Sequence, residues 1–252
     1  MSARPDLAPP SSAAVRDLLA PGGVLRAGIN LSNFLLVTGR TEAGDPVGVS
    51  PDMARAFADH LGVALKLVPY ASPGLVADAA SRDEWDIANI GAEPQRAEVI
   101  AFTPAYCEIE ATYLVPAGSP LQAVAEVDAP GIEIAVTRRT AYGLWLERNV
   151  AHATLVPSES MAEALADFID NKRAALAGLR PGLLADLARV PGGRLLPGQY
   201  AAVQQAIGTP KAKAAALDEI VRFVEAAKAS GFVAGLIARH GVEGKLGVAA
   251  AP

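Results

Sequence analysis

Short apolar runs alternate with amphipathic stretches along most of this chain, and no other feature of the sequence limits its fold as strongly. Runs typical of buried strands occur at Val24–Ile29, Ala64–Val68 and Ile132–Val136. Stretches whose apolar residues have helical spacing lie between such runs, as at Ala141–Asn149. Because strands that alternate with helices form parallel βαβ units, the sequence predicts an α/β fold.

Capping residues predict where several of the helices begin. Ser50, with a proline directly after it, is predicted to be the N-cap of the first long helix. In the second half, Ser158 is predicted to cap the helix over residues 161–170. Thr209, also followed by a proline, is predicted to start the long final helix.

Composition excludes several functional classes. The chain has 252 residues, of which 51% are hydrophobic and 19% charged, as expected for a globular protein of one large or two small domains. A net charge of −5 without a long basic run argues against nucleic acid or an anionic membrane as a partner. Cys107 is the only cysteine and the three histidines are scattered, so we expect no disulfide, metal site or cofactor.

The sequence also predicts where the protein resides. Residues 1–23 contain charged residues and prolines but no apolar run of the roughly 7–15 residues that a secretory signal needs. No uncharged apolar run reaches the about 20 residues of a membrane span, so the chain is not expected to be membrane-embedded. The chain as written is therefore predicted to be cytoplasmic, or periplasmic if a leader was removed.

The most informative local feature is the stretch from Asp86 to Arg96. A short apolar strand ends in a turn of small residues, and Arg96 follows close behind. In open α/β sheets, ligands bind outside the carboxyl ends of the strands. The guanidinium is a planar fork of donors that matches a carboxylate, so Arg96 is a candidate anion anchor. The alternative is an ordinary solvated arginine.

The order of several blocks resembles a known family. The blocks are Leu25–Asn30, Gly44–Ala54, Trp85–Ala88, Pro94–Arg96, Ala101–Tyr106, Ile134–Thr140 and Ala229–Gly241. In this order they resemble the bacterial extracellular solute-binding proteins of family 3, the polar amino-acid receptors of ABC importers. The resemblance covers roughly residues 25–244, and no single block carries it alone.

The resemblance implies a two-lobe periplasmic-binding-protein-like fold of type II with two hinge strands. Lobe 1 would comprise residues 24–114 and 206–252, and lobe 2 residues 115–205, with residues 1–23 as an N-terminal extension. The ligand would lie in a cleft that closes by a hinge motion. The implied partners are a small carboxylate-containing ligand, either an amino acid or an organic acid, and an ABC permease, with the protein itself a monomer.

In lobe 1 the resemblance assigns five residues to the ligand site. Arg96 occupies the position of the family's carboxylate-binding arginine. Glu93 stands where the family usually has threonine, and Gly91 where it has serine or threonine. In the loop after the first strand, Asn33 replaces an aromatic residue, for which Phe34 would compensate.

In lobe 2 the resemblance assigns four more residues. Thr140 supplies the hydroxyl at a helix N-terminus, where N–H groups favour an anion, and Arg139 replaces the usual glycine before it. Leu179, followed by Arg180, occupies the position of the aspartate that normally binds the ligand's amine. Because a buried ammonium without a counter-charge is costly, either Glu93 supplies the missing charge or the ligand has no amine and the arginines clamp an anion.

Two other functional classes remain open from the sequence. Enzyme motifs such as a phosphate-binding glycine loop or a nucleophile elbow are missing. However, some relatives of this superfamily, similar to cyclohexadienyl dehydratases, use the cleft as an active site, and Glu93 would be the general acid of such a carbon–oxygen lyase. The third class is a cytosolic ligand sensor.

Overall fold

The computed structural model describes residues 13–250 and contains both helices and strands in alternation. The strands are β1 (Val24–Asn30), β2 (Gly39–Arg40), β3 (Pro46–Val47), β4 (Ala64–Tyr70), β5 (Ile87–Gly91), β6 (Ile100–Phe102), β7 (Cys107–Val115), β8 (Glu133–Thr137), β9 (Thr154–Ser158), β10 (Ala175–Leu179), β11 (Arg194–Leu195), β12 (Ala201–Pro210) and β13 (Gly247–Val248). The helices are α1 (Ala13–Leu19), α2 (Val49–Leu61), α3 (Pro73–Ala79), α4 (Ala141–Asn149), α5 (Met161–Asp170), α6 (Arg180–Asp186), α7 (Leu217–Ala229) and α8 (Phe232–Arg239).

The described residues form two compact units. Unit 1 comprises the residues up to Glu108 and those from Gln204 onward, and unit 2 comprises Ile109–Val203. The chain passes from one unit to the other twice, within β7 and within β12. Residues 13–19 of the predicted N-terminal extension form α1, and residues 1–12 lie outside the described part of the chain.

Unit 1 is built on a parallel core of three strands. β1 lies between β4 and β5 and is parallel to both. β12 then pairs with β5 in antiparallel orientation. On one face, α3 packs against a cluster around Trp85, Ala88 and Ile90, and the Trp85 indole donates to the carbonyl oxygen of Val76 at 2.9 Å. This arrangement places the carboxyl ends of β1 and β5 side by side.

The prediction that Ser50 caps α2 is wrong by two residues. The helix begins at Val49, its N-cap is Gly48, and Ser50 lies buried inside the first turn. Gly48 has φ 153°, and a Cβ atom there would lie 2.2 Å from the carbonyl oxygen of Leu36. The same oxygen accepts a hydrogen bond from the Ser50 N–H at 3.1 Å. Glycine at this position therefore lets the loop after β1 pack tightly against the start of α2.

A buried carboxylate, Asp86, connects β1 with the residues before β5. It accepts hydrogen bonds from the Arg26 backbone N–H at 2.8 Å and from the Arg26 guanidinium at 2.8 and 3.0 Å. Lys213 forms a further ion pair with the same carboxylate. Because the Asp86 carboxylate has charged and backbone partners, its burial is accounted for by a structural role in unit 1.

Unit 2 has a smaller sheet covered on both faces. β8 is parallel to β9 and to β10, and β10 is antiparallel to β7. One face packs against α4 through a cluster that includes Tyr142 and Leu146. The other face packs against α5 through Leu165 and Phe168. As in unit 1, two parallel strands, β8 and β10, end side by side.

Two other predicted caps are also wrong. Ser160, not Ser158, caps α5, because its side chain accepts from the N–H of Glu163 while Ser158 ends β9. Thr209 does not start a helix: β12 continues through Pro210 because residues 208–210 pair with β6. The Thr209 hydroxyl also donates to the carbonyl oxygen of Asp86 at 2.9 Å, which holds it in the sheet.

Candidate functional site

Four of the five predicted site residues of unit 1 lie in the loops that follow two neighbouring strands, and the fifth, Gly91, is the last residue of β5. Asn33 and Phe34 follow β1, and Glu93 and Arg96 follow β5. Because β1 and β5 are parallel and adjacent, both loops leave the same edge of the sheet. That edge is the place where an open α/β sheet binds ligands.

Arg96 is buried at this edge, with only 4% of its surface exposed. It begins a short 3-10 turn, Arg96–Glu98, that folds the chain back after β5. Its Nη1 donates to the carbonyl oxygen of Gly91, the last residue of β5, at 2.7 Å. This bond holds the guanidinium against the end of the strand. The alternative interpretation, in which Arg96 is an ordinary solvated arginine, is therefore wrong.

Glu93 is buried three residues before Arg96, with 7% of its surface exposed. Its carbonyl oxygen accepts from the N–H of Ala97 at 2.9 Å, so the same turn fixes both residues. Buried glutamate and arginine side chains are uncommon and normally have charged or hydrogen-bonding partners. This short segment therefore places one buried acidic and one buried basic side chain at the edge of the sheet.

The loop after β1 contributes one polar and one apolar side chain. The Asn33 amide oxygen accepts from the backbone N–H groups of Leu35 and Leu36, at 3.2 and 3.3 Å. This oxygen stabilises its own turn, as asparagine side chains commonly do. Phe34 is 41% exposed, which is high for a large aromatic side chain. Of the two, Phe34 presents the surface that can contact a ligand.

In unit 2 the corresponding edge is formed by β8 and β10. Thr140 is the N-cap of α4, and its hydroxyl accepts from the Gly143 N–H at 3.1 Å. The same hydroxyl donates to the carbonyl oxygen of Thr137 at 2.7 Å. A Cβ atom on Gly143 would lie 2.6 Å from that oxygen, so the turn requires glycine there. Thr140 thus holds the turn between β8 and α4.

Arg139, directly before this cap, is exposed and has a left-handed backbone with φ 58°. A side chain at such an angle is strained, and glycine would avoid the strain. Arg139 therefore lies in a strained turn that follows the carboxyl end of β8.

Leu179 and Arg180 lie at the carboxyl end of β10, beside this turn. Leu179 is half-buried and packs against the apolar cluster of unit 2. Arg180 forms an ion pair with Glu110 and also donates to the carbonyl oxygen of Gly198. The charge of Arg180 is therefore balanced inside unit 2.

Tyr142 lies in the first turn of α4, next to the turn that Thr140 caps. Its side chain is buried in the apolar cluster of unit 2. Burial raises the pKa of this phenol, and Thr137 and Thr140 partly oppose the shift. The group therefore stays protonated and neutral beneath the turn.

Asn89 is a polar residue of unit 1 that sequence reasoning missed. It lies in β5 and is 1% exposed, and neither atom of its side-chain amide has a hydrogen-bond partner among residues 13–250. Buried polar groups without partners are rare and call for an explanation. The signal in the sequence was one polar residue inside the apolar run Ile87–Ile90.

Two properties of residues 13–250 bear on the kind of site. Among these residues, no three or more histidine, cysteine, aspartate or glutamate side chains are grouped as a metal ion would require. Within the same range, every helix is too short or too polar to traverse a lipid bilayer.

Comparisons with solved structures identify the fold. A mutant of ArgBP from T. maritima is 21% identical, with a TM-score of 0.71 over 91% of this chain and 100% of that one. A putative ABC transporter binding component from Wolinella succinogenes, complexed with lysine, is also 21% identical, with a TM-score of 0.70 over 86% and 95% of the two chains. The fold class predicted from the sequence is confirmed: the protein has the two-lobe periplasmic-binding-protein fold.

A third solved structure is the ancestral amino acid-binding protein AncCDT-1, described as a precursor of cyclohexadienyl dehydratase. It is 20% identical, with a TM-score of 0.70 over 89% of this chain and 97% of that one. No curated protein sequence matches this chain significantly. The profile of one family matches residues 28–243, which is most of the chain. The protein belongs to the bacterial extracellular solute-binding proteins, family 3.

Proposed function

We propose that this protein binds a small molecule through a carboxylate group that Arg96 receives. The observation that carries the proposal is the burial of this guanidinium at the carboxyl end of β5, fixed by the carbonyl oxygen of Gly91. A fixed, planar fork of N–H donors recognises a carboxylate bidentately. Membership in a solute-binding family supports a free small molecule as the ligand.

Glu93 suggests that the ligand is an amino acid. Its carboxylate is buried in the same turn as Arg96, so the edge of unit 1 offers one negative and one positive group. A zwitterion presents an ammonium to the first group and a carboxylate to the second. Several solved relatives bind arginine or lysine, which supports an amino-acid ligand without fixing its side chain.

The role in import is part of the same proposal. Solved relatives include substrate-binding proteins of amino-acid ABC transporters, and a receptor of that kind closes its two lobes on the ligand and delivers it to a permease. Fractionation of the native host tests this role. A protein in the periplasm, or tethered outside the membrane, supports delivery to a permease, whereas a purely cytosolic pool contradicts it.

A thermal-shift screen tests ligand binding directly. The panel would contain the common L-amino acids, succinate, glutarate and benzoate, because a ligand that binds only the folded state raises the melting temperature. We expect at least one carboxylate to stabilise the protein and Arg96→Ala to abolish that effect. Arg138→Ala is the matched control, because Arg138 is exposed and paired with Glu159. A stabilisation that survives Arg96→Ala would remove Arg96 from the site.

A dehydratase is the second candidate function, and the burial of Glu93 beside Arg96 is the observation that favours it. In such a step the bond from the ring to its carboxylate would break and release CO2, and the freed electron pair would displace the ring hydroxyl, which takes the proton of a protonated Glu93 and leaves as water, while Arg96 holds the carboxylate of the side chain. The likeness to a precursor of cyclohexadienyl dehydratase motivates the choice of substrates. Prephenate and arogenate should be converted by the wild type and not by Glu93→Gln. Binding without conversion contradicts the enzyme proposal.

A further inference from the structure

Asn89 has two buried side-chain atoms without a hydrogen-bond partner, whereas Ser50 and Tyr106, the other such residues in the described part of unit 1, have one each. Its Oδ1 and Nδ2 atoms are both buried, and neither has a hydrogen-bond partner within residues 13–250. By contrast, the buried hydroxyl of Thr209, on β12 beside β5, donates to a carbonyl oxygen at 2.9 Å. An amide that leaves water without new partners destabilises the folded state.

The register of the sheet defines the surroundings of Asn89. Its neighbours Ala88 and Ile90 contribute to the cluster around Trp85, so Asn89 points to the opposite face of β5. Across the sheet it is paired with Ile29 of β1 and Ile207 of β12. Both of these neighbours are fully buried and apolar. The sheet therefore offers the amide no polar side chain on either side.

Asn89 is also close to the edge that carries the carboxylate anchor. Gly91 lies two residues later, at the end of β5, and its carbonyl oxygen accepts a hydrogen bond from Arg96. Two residues of a strand span roughly 7 Å, which is the length of a small ligand. Ile29, the partner of Asn89 in β1, is one residue before the end of that strand.

We propose that Asn89 is a specificity-determining residue, whose amide pairs with a neutral polar group of the ligand bound at Arg96. An amide offers both a donor and an acceptor, so it matches a carboxamide or a hydroxyl better than a charged or apolar group. Such a ligand would supply the hydrogen-bond partners that the apolar neighbours of Asn89 in the sheet lack. A site built to hydrogen-bond a polar group rejects an apolar analogue of the same shape, because its own polar atoms then stay unpaired.

This assignment rests on the proposed function, and the experiment separates the two. The probes are L-asparagine and L-leucine, which have similar shapes but differ in the polar atoms of the side chain. Calorimetry on the wild type should give at least tenfold tighter binding of L-asparagine. Asn89→Leu should bring the two affinities within about threefold of each other. Equal affinities in the wild type, or an unchanged ratio in the variant, would overturn the role of Asn89 while Arg96-dependent binding of a carboxylate still stands.

Stability gives a second readout that needs no ligand. Asn89→Leu keeps the branched skeleton of the side chain and removes the unpaired amide, so it should raise the melting temperature by about 2–4 °C. Thr209→Val, which removes a hydroxyl that has a partner, should lower the melting temperature and leave the ratio of affinities unchanged. A lower melting temperature for Asn89→Leu would mean that ordered water already satisfies the amide, and that result would overturn the proposal.

Discussion

The Arg96 guanidinium donates a 2.7 Å hydrogen bond to the carbonyl oxygen of Gly91, five residues earlier in the chain. The bond ties the turn after β5 to the last residue of that strand. Arg96 is thereby buried at the carboxyl edge of the sheet instead of extending into solvent. A side chain fixed in this way loses little conformational freedom when it receives a ligand, which favours tight binding.

Gly48→Ala should destabilise the protein. A Cβ atom at this position would lie 2.2 Å from the carbonyl oxygen of Leu36, and φ 153° is unfavourable for alanine. We expect the free energy of unfolding to fall by about 2 kcal/mol or more. Gly235→Ala is the control, because Gly235 lies in α8 with nothing within 4 Å of a Cβ atom. Urea unfolding should show the control gaining about 0.5–1 kcal/mol, and equal behaviour of the two variants would contradict the packing described for Gly48.

Arg139→Gly should relieve the backbone strain of the turn before α4. Arg139 has φ 58°, and glycine removes the strain of a left-handed side chain, worth roughly 1–2 kcal/mol before the entropy of the unfolded chain offsets part of it. Lys172→Gly, at φ 54°, is the matched control. If Arg139 contacts the ligand, titration should show weaker binding only for Arg139→Gly. Equal affinity of both variants would remove Arg139 from the site.

Asp128 should make unit 2 sensitive to acid. Its carboxylate accepts from the N–H groups of Ala151, His152 and Ala153, and these bonds lower its pKa below the usual value near 3.9. The folded state therefore binds fewer protons than the unfolded state, so this stabilisation is present above about pH 4 and is lost as the pH falls through the folded pKa. Urea midpoints at pH 6 and pH 3 should show a gap between wild type and Asp128→Ala that narrows at pH 3. A constant gap would contradict this assignment.

Glu219→Ala should strongly destabilise unit 1. The side chains of Glu219 on α7 and His60 on α2 are both buried, and they approach to 2.6 Å. Removal of Glu219 leaves the buried His60 ring nitrogen without its hydrogen-bond partner and Arg222 without its ion-pair partner, so we expect a loss of about 1–3 kcal/mol. A double-mutant cycle with His60→Phe should give a coupling energy above about 1 kcal/mol, since the aromatic ring still packs between Phe57 and Phe223. Additive losses would contradict a direct interaction.

The sequence predicted the fold class because each block carries a physical signature of its own. The apolar runs and helical spacings are local, and their order along the chain matches the family whose profile covers residues 28–243. Helix starts were predicted less well, because a serine near a helix competes with others nearby, as Ser158 does with Ser160. Pro210 stays in β12 because of pairing with β6, a contact that no local pattern reveals.

The candidate site could be predicted only in part, for the same reason. Arg96 was identified because a single arginine follows a recognisable strand and turn. Arg180 forms an ion pair with Glu110, which lies 70 residues away in the chain. No local sequence pattern reveals a contact of that kind. Asn89 could not be identified from the sequence, because a single polar residue in an apolar run becomes informative only when its side chain is known to be buried.

Calorimetric titration of Arg96 variants with the best ligand of the thermal-shift screen tests the central claim most directly. Wild type, Arg96→Lys and Arg96→Ala would be titrated with that ligand and with its carboxamide analogue, which lacks the carboxylate charge. We expect Arg96→Ala to weaken binding of the carboxylate at least a hundredfold, about 2.7 kcal/mol, and Arg96→Lys to weaken it less. The carboxamide should bind weakly to all three proteins. Carboxylate affinity that is unchanged in Arg96→Ala, with the variant folded, would contradict the assignment of Arg96 as the anchor.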